Sequence, residues 1–364
     1  MKIALMHEML VKLGGAERVV KTLSDLYPKA PIYTLFNNSK ITPWWFGERK
    51  IIPSELQKTY QWLNSPKFLL PFMAKEVEAF DFSKYDVVIS SSSAFAHGIK
   101  TGKKTKHICY CHSPMRYAWD YTHEYTKDKS GFIQWLIAQL LHPIRQWDYQ
   151  VADRPDRVIA NSQHVKRRVE KYWRRKAQVI YPPVNVKRFK MTPRHENYFF
   201  IVSALTSFKR IDLAVRAFNK IKKKLIIIGD GAQRKHLETM AGPTIEFLGR
   251  KSDEEVKTYM EHCRAFIFPG EEDFGITPVE AMAAGKPVLA YGVGGVRETV
   301  QAGITGEFFE EQTVDSLLKG LTRLLENENS YDPKKIRKRA EKFDEAVFVK
   351  KMKALMKKTL KKKG

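Results

Sequence analysis

The chain has 364 residues, of which 43% are hydrophobic and 12% aromatic. This composition excludes a disordered protein, and the length exceeds that of most domains with a single hydrophobic core. No run approaches the roughly 18 to 20 apolar residues that a membrane span requires. Lys and Arg number 64 against 40 Asp and Glu, and the formal net charge of +24 attracts nucleic acid, anionic lipid and phosphate-bearing substrates alike.

The first half alternates β-rich runs with amphipathic helical stretches. Strands are predicted at residues 2–6, 31–35, 87–90, 107–111, 157–160 and 178–181. A helix is predicted from Ala16 to Leu26, where Val19, Val20 and Leu23 recur at helical spacing. This alternation implies a mainly parallel sheet. Because the run at 2–6 is too short for a signal peptide, it is predicted as the first strand of a cytoplasmic protein.

The first glycine loop follows that strand. Gly14 and Gly15 open the predicted helix, where free N–H groups can meet an anion or allow an acceptor to approach. An ordinary tight turn explains the same glycines equally well. Both interpretations remain open at this point.

The sequence holds only three cysteines, which are too few for a disulfide framework. They are Cys109, Cys111 and Cys263. The first two have His107 and His112 nearby, so a metal cluster is one interpretation of this segment. The plainer alternative is that these residues occupy alternate faces of one buried strand.

The second half repeats the plan with strands predicted at 199–202, 224–228, 245–247, 265–268 and 287–291. The uninterrupted run from Leu225 to Ile228 is typical of a central strand buried on both faces. Adjacent prolines at Pro182 and Pro183, followed by a polar stretch, place the linker near residue 190. We therefore expect domains at 1–190 and 191–340. A basic helix is expected at 341–364, of which 361–364 are unconstrained.

The segment from Pro269 to Val288 leaves a predicted strand and opens a helix near Pro278. Thr277 is predicted as the N-cap and Glu280 lies three residues later, which makes a capping box that explains Glu280 without a ligand. That explanation does not extend to Glu272.

Gly275 allows a ligand to approach the backbone closely. The N–H groups of Ile276 and Thr277 at the positive helix end suit a diphosphate. The Glu272 carboxylate is a better acceptor for sugar hydroxyls than for phosphate. The segment therefore has a phosphate end and a sugar end.

The spacing E-x7-E from Glu272 to Glu280, within GEEDFGITPVEAMAAGKPV, resembles the retaining GT-B glycosyltransferases of family 4. The resemblance implies that Glu272 binds donor-sugar hydroxyls and Glu280 the nucleotide ribose. It also implies that Lys209 contacts the donor diphosphate. Ala204 stands where many relatives carry an arginine, so the diphosphate clamp rests on Lys209 and backbone groups or on a basic residue from elsewhere.

Three further segments match the family pattern. Gly14 and Gly15 correspond to its amino-terminal glycine loop. The segment HSPMRY, from His112 to Tyr117, resembles a subgroup that includes O-antigen mannosyltransferases; this makes His112 a candidate catalytic residue near the donor sugar and Arg116 a second candidate. A structural histidine is the alternative. The glycines around Gly294 permit close approach to phosphate or sugar, or form only a strand-to-helix turn.

The resemblance implies an α/β fold of two Rossmann-like doubly wound domains facing across a cleft. The acceptor would bind the first domain and the nucleotide sugar the second, with the last helices packing back on the first domain. The implied reaction transfers a hexose with retention, without a cofactor or a bound metal. GDP-mannose is the first expected donor, in lipopolysaccharide O-antigen or exopolysaccharide synthesis, and UDP-sugars are the alternative.

The basic clusters beside Trp44-Trp45-Phe46 and residues 132–147 predict association with an anionic membrane surface, on the inner face of the cytoplasmic membrane. A lipid-linked saccharide acceptor would make such a location useful. The competing hypothesis from another class is a basic nucleic-acid-binding α/β protein. It predicts binding that weakens steeply with salt and is indifferent to Glu272.

Overall fold

The computed structural model describes residues 1–63, 65–120, 130–192 and 195–361, which group into two compact units. Unit 1 comprises Met1–Pro183 and Phe348–Gly364, and unit 2 comprises Val184–Val347. The divisions between the units fall after Pro183 and before Phe348. The predicted boundaries were near residues 190 and 340. Of residues 361–364, predicted as unconstrained, Lys361 is the last residue of the carboxy-terminal helix, and 362–364 lie outside the described part of the chain.

Unit 1 is built on a parallel sheet that has seven strands within the described residues. They are β1 (Ile3–Leu10), β2 (Ile32–Asn37), β3 (Ile51–Pro53), β4 (Val87–Ser92), β5 (Lys106–Cys111), β6 (Arg157–Ala160) and β7 (Gln178–Val179). Their order is β3-β2-β1-β4-β5-β6-β7. The chain extends the sheet outward from β1 and then returns to add β4 on the other side. The strand order therefore reverses between β1 and β4.

The helices of unit 1 are α1 (Gly15–Leu26), α2 (Thr42–Phe46), α3 (Leu56–Leu63), α4 (Leu70–Ala79), α5 (Gly131–Val151) and α6 (Gln163–Tyr172). The carboxy-terminal helix, Glu345–Lys361, adds Phe348, Met352, Leu355 and Met356 to the same core as Val19 and Val20 of α1. Its apolar face is therefore buried in unit 1.

Unit 2 repeats the architecture with six parallel strands among the described residues. They are β8 (Phe199–Val202), β9 (Leu225–Ile228), β10 (Ile245–Gly249), β11 (Ala265–Phe268), β12 (Val288–Tyr291) and β13 (Gly306–Phe309). Their order is β10-β9-β8-β11-β12-β13, so the reversal lies between β8 and β11. Ligands of open α/β sheets bind beyond the carboxyl ends of the strands at such a reversal.

The helices of unit 2 are α7 (Ile211–Ile221), α8 (Arg234–Met240), α9 (Asp253–His262), α10 (Ile276–Ala283), α11 (Val296–Thr299), α12 (Val314–Glu326) and α13 (Pro333–Ala340). The predicted fold class of two Rossmann-like doubly wound sheets is confirmed. The short strands β3 and β13 were not predicted: β3 has three residues and ends in proline, and β13 begins at a glycine with φ +149°.

Candidate functional site

The sheet reversal in unit 2 brings Lys209 and Glu272 together. Lys209 lies in the loop that leaves β8, and Glu272 lies in the loop that leaves the neighbouring strand β11. Their side chains form an ion pair, and each remains about one-fifth exposed. A cation and a carboxylate that the sequence analysis assigned to one ligand therefore meet at one edge of the sheet.

Glycines allow the loops at this edge to pack backbone against backbone. Gly294 has φ +86°, and a Cβ placed on it would lie 2.3 Å from the carbonyl oxygen of Glu272. Gly295 donates its N–H to that same oxygen over 2.8 Å. A Cβ on Gly270 would lie 2.9 Å from the Cα of Lys209. Gly294 thus holds the backbone of Glu272 in place, and its direct contact with a ligand stays a prediction.

Helix α10 begins earlier than predicted. Gly275 is its N-cap with φ +84°, a left-handed conformation that favours glycine, and the helix starts at Ile276. Thr277 is therefore the second helical residue, and the predicted capping box of Thr277 with Glu280 is wrong. The amides of Ile276 and Thr277 belong to the first turn, whose N–H groups have no partners within the helix. Glu280 is buried, and capping no longer explains it.

The glycine loop of unit 1 forms a capped helix start. Gly14 is the N-cap of α1, and its N–H donates to the Glu17 carboxylate over 3.0 Å. Gly15 is the first helical residue. The loop therefore has a structural role of its own, and its contact with an anion or acceptor stays a prediction.

His112 lies directly after β5 and is 9% exposed. Its Nε2 lies 2.7 Å from the hydroxyl of Ser91. Its backbone carbonyl accepts a hydrogen bond from Asn161 over 2.9 Å. Arg116, the other candidate of this segment, is half-buried in the turn that follows. The segment is thus fixed at the carboxyl end of β5.

Sequence reasoning missed a histidine–carboxylate pair beside His112. His7 in β1 lies with its Nε2 3.7 Å from Glu17, and both side chains are buried. Burial lowers the pKa of His7, but the carboxylates of Glu17 and Glu8 and the hydrogen bond to the Ser91 backbone together raise it above its ordinary value. Burial likewise opposes ionisation of Glu17, but His7 holds its pKa below the ordinary value. A histidine in the first strand and a glutamate after the glycine pair are the only sequence signals.

The carboxylate of Glu8 organises the loop that leaves β4. Its Oε1 accepts hydrogen bonds from the Ser92 hydroxyl over 2.9 Å and from the backbone N–H groups of residues 93, 94 and 96. This oxygen therefore fixes the backbone of the loop after β4. This role of Glu8 was also not predicted.

The cysteine-containing segment is strand β5. Cys109 and Cys111 are buried on one face of it, and burial raises the pKa of Cys109 to about 12. His107 is buried too and lies 2.7 Å from the Ser90 hydroxyl. No group of three or more His, Cys, Asp or Glu that could hold a metal ion occurs in the part of the chain that the structure describes. The segment is one buried strand, as predicted, but the two cysteines share one face of it instead of occupying alternate faces.

Among the described residues, no helix combines the length and apolar character needed to cross a bilayer.

Comparisons with known proteins identify both halves of the chain. The family model "Glycosyltransferase Family 4" matches residues 13–188, and "Glycosyl transferases group 1" matches residues 185–343. An uncharacterized glycosyltransferase of Methanocaldococcus jannaschii is 33% identical over 178 residues, which is 48% of this chain and 50% of that protein. The α-1,3/1,6-mannosyltransferase ALG2 of Dictyostelium discoideum is 25% identical over 62% of this chain and 64% of its own length. The chain thus spans less than two thirds of either relative.

Among solved structures, Anabaena HepE in complex with UDP-glucose superposes with a TM-score of 0.74 at 18% identity, over 98% of this chain and 100% of that one. This likeness shows the fold. Because the two family models together match residues 13–343, the chain belongs to the group 1 and family 4 glycosyltransferases with two Rossmann-like domains.

Proposed function

We propose that this protein transfers a hexose from a nucleotide sugar to a saccharide acceptor with retention of configuration. The observation that carries the proposal is the pairing of Lys209 with Glu272 at the sheet reversal of unit 2. A nucleotide sugar offers each side chain a new partner: its diphosphate suits the ammonium group, and its sugar hydroxyls suit the carboxylate. Binding would exchange the internal ion pair for two contacts with the donor.

The start of α10 supplies the remaining charge stabilisation in this proposal. The turn at Gly275 leads into the amides of Ile276 and Thr277, which suit the leaving diphosphate together with the positive helix end. Lys209 and these amides then stabilise the negative charge of the leaving diphosphate, a role that a bound metal ion has in other transferases. Glu280 is proposed to bind the nucleotide ribose.

The proposed donor is GDP-mannose. The segments around Lys209 and His112 resemble mannosyltransferases of O-antigen assembly, and the relative from Dictyostelium discoideum is named a mannosyltransferase. A UDP-sugar is the alternative, because the structural neighbour HepE carries UDP-glucose. His112 is proposed to act beside the donor sugar, and nucleic acid has no part in this function.

The proposed acceptor is lipid-linked, and helix α5 supports a location on an anionic membrane. Residues 131–144 contain no Asp, Glu, Lys or Arg, yet Phe132, Trp135, Leu136 and Leu140 are exposed. An apolar helical surface in a strongly cationic chain fits the boundary between headgroups and acyl chains. In the other predicted cluster only Trp44 is fully exposed, because Phe46 is buried in the core and Trp45 packs against it.

A donor screen tests the proposed transfer. The protein is incubated with GDP-mannose, UDP-glucose, UDP-galactose and UDP-N-acetylglucosamine, and thermal stabilisation and donor hydrolysis are measured. We expect GDP-mannose to give the largest response, because binding to the folded state raises its stability. A response to a UDP-sugar alone would replace the donor, and no response to any of the four would contradict the proposal.

Flotation with vesicles tests the membrane location. The full chain is mixed with phosphatidylglycerol vesicles and, in parallel, with phosphatidylcholine vesicles. We expect binding to the anionic vesicles and its loss in the double variant Phe132→Ser, Trp135→Ser. Ile304→Ser, which removes an exposed apolar side chain of unit 2, is the matched control. Equal binding by the double variant and the control would contradict a role for α5.

A further inference from the structure

We propose that three buried side chains of unit 1 are positioning residues for the transfer reaction. They are Ser91, His7 and Glu17, and together they connect His112 with the glycine loop at Gly14. The inference rests on the proposed function, in which His112 acts beside the donor sugar. It adds a physical means of fixing the His112 ring and the loop relative to each other.

Ser91 stands between two imidazoles. It lies in β4 opposite His7 of β1, and its hydroxyl is 2.7 Å from Nε2 of His112 and 3.2 Å from Nδ1 of His7. The backbone carbonyl of Ser91 is 3.0 Å from the same Nδ1. Because a carbonyl only accepts, Nδ1 of His7 carries a proton and donates it. The hydroxyl is left to orient Nε2 of His112.

Glu17 joins the ring of His7 to the glycine loop. One carboxylate oxygen faces Nε2 of His7 at 3.7 Å, and the other accepts the N–H of Gly14 at 3.0 Å. The remaining titratable groups around His7 are Glu8, whose carboxylate is 3.9 Å from Nδ1, and His112, whose ring lies edge-on with 6.5 Å between centroids. A polar chain thus runs from Gly14 to His112, with hydrogen bonds at its ends and an ion-pair contact of 3.7 Å between His7 and Glu17.

A neighbouring pair shows what a purely structural arrangement of the same chemistry looks like. Ser90 lies one residue before Ser91 in β4, and its hydroxyl is also 2.7 Å from a histidine, His107. That histidine is fully buried within β5, whereas His112 follows the end of the strand. Burying polar groups is costly, so a chain of them that ends at two candidate site elements points to a functional constraint.

The test compares Ser91→Ala with Ser90→Ala in the full-length protein, using the donor identified by the screen. We expect Ser91→Ala to lower kcat/KM on the order of tenfold or more, mainly through kcat, because the His112 ring loses its orientation. Ser90→Ala is expected to leave kcat/KM within about twofold, because its partner is remote from the reaction. Thermal unfolding of both variants reports any general loss of stability.

Nitrogen NMR of the imidazole rings gives the readout that a general structural role would not change. Ser91→Ala should alter the tautomer equilibrium of His112, and Ser90→Ala should not. Equal kinetic losses in the two variants, or an unchanged His112 spectrum in Ser91→Ala, would overturn the inference. A wild-type protein that transfers no sugar would overturn the proposed function, and the positioning role with it.

Discussion

The two units differ in the kinds of residues that lie where the strand order of each sheet reverses. In unit 2 the edge consists of glycine-rich loops in close backbone contact, with the partly exposed Lys209–Glu272 pair set among them. In unit 1 the corresponding edge is a buried network of histidine, serine and carboxylate side chains. The first arrangement suits the binding of a polyvalent anion and sugar, and the second suits the fixing of one reactive side chain.

The largest expected effect comes from a substitution at the edge of the unit 2 sheet that carries Lys209 and Glu272, which we call the ligand edge. This substitution leaves unit 1 unchanged. Glu272→Ala should lower kcat/KM for sugar transfer on the order of 1000-fold, because it removes a group proposed to bind the reacting sugar. Steady-state kinetics with the screened donor measure the loss.

Glu271→Gln is the matched neighbour for that experiment, and we expect it to keep most of the activity. Thermal unfolding of Glu272→Ala should remain close to that of the wild type, because the side chain is partly exposed. A Glu272→Ala protein that retains full transfer activity would remove Glu272 from the site.

The second prediction tests the backbone packing that supports this edge. Gly294→Ala should lower the free energy of unfolding by about 3 kcal/mol or more. Alanine is strained at this left-handed φ, and its Cβ would also clash with the carbonyl oxygen of Glu272. Gly303→Ala should cost about 1 kcal/mol, because Gly303 has φ +71° but no neighbouring atom within 4 Å. Urea unfolding of both variants measures the difference, and equal losses would show that the contact with Glu272 carries no energy.

The last prediction concerns a second buried cluster of unit 1, in which Asp148 contacts His97, Trp119 and Trp173. Burial raises the pKa of Asp148 from 3.8 to about 7, although Trp119 and Trp173 donate to it. His97 lies 3.3 Å from this carboxyl, and burial lowers its pKa to about 4. The folded state keeps the Asp148 proton to a higher pH than the unfolded state does. This group's contribution to stability is therefore present below about pH 4 and lost as the pH rises towards 7.

Asp148→Asn should therefore gain about 3 kcal/mol of stability relative to the wild type between pH 4 and pH 7, since the variant stays neutral while the unfolded wild-type chain releases its proton over this range. Unfolding curves at pH 4 and at pH 7 measure the change in the difference between the two proteins. A constant difference would mean that Asp148 is ionised in the folded protein at both values. Asp148→Ala, which leaves two indole N–H groups without their acceptor, should destabilise at both.

The ligand edge of unit 2 was largely predictable because its requirements are local. A turn with positive φ selects Gly275, and the loop motif carries Glu272 within a few residues. The first residue of helix α10 was not predictable. Thr277 and Pro278 resemble an N-cap and a first helical residue, but Gly275 in its left-handed conformation caps the helix two residues earlier. Sequence spacing alone cannot distinguish those alternatives.

The network of unit 1 was not predictable for a different reason. His7, Ser91 and His112 are distant in the chain and meet only through the register of β1, β4 and β5. A parallel sheet was predicted, but a shift of one residue would turn Ser91 to the opposite face. Only His112 had a sequence motif that singled it out.

Calorimetric titration of the Glu272→Gln variant tests the division of labour at Lys209 and Glu272 most directly. Wild type and variant are titrated with the nucleoside diphosphate and with the matching nucleotide sugar, and Lys209→Ala serves as the converse variant. We expect Glu272→Gln to bind the diphosphate at least as tightly as wild type, because Lys209 loses its internal partner, but to lose the additional affinity for the sugar. Lys209→Ala should weaken binding of both ligands. Equal weakening of both ligands by Glu272→Gln would contradict the assignment of Glu272 to the sugar.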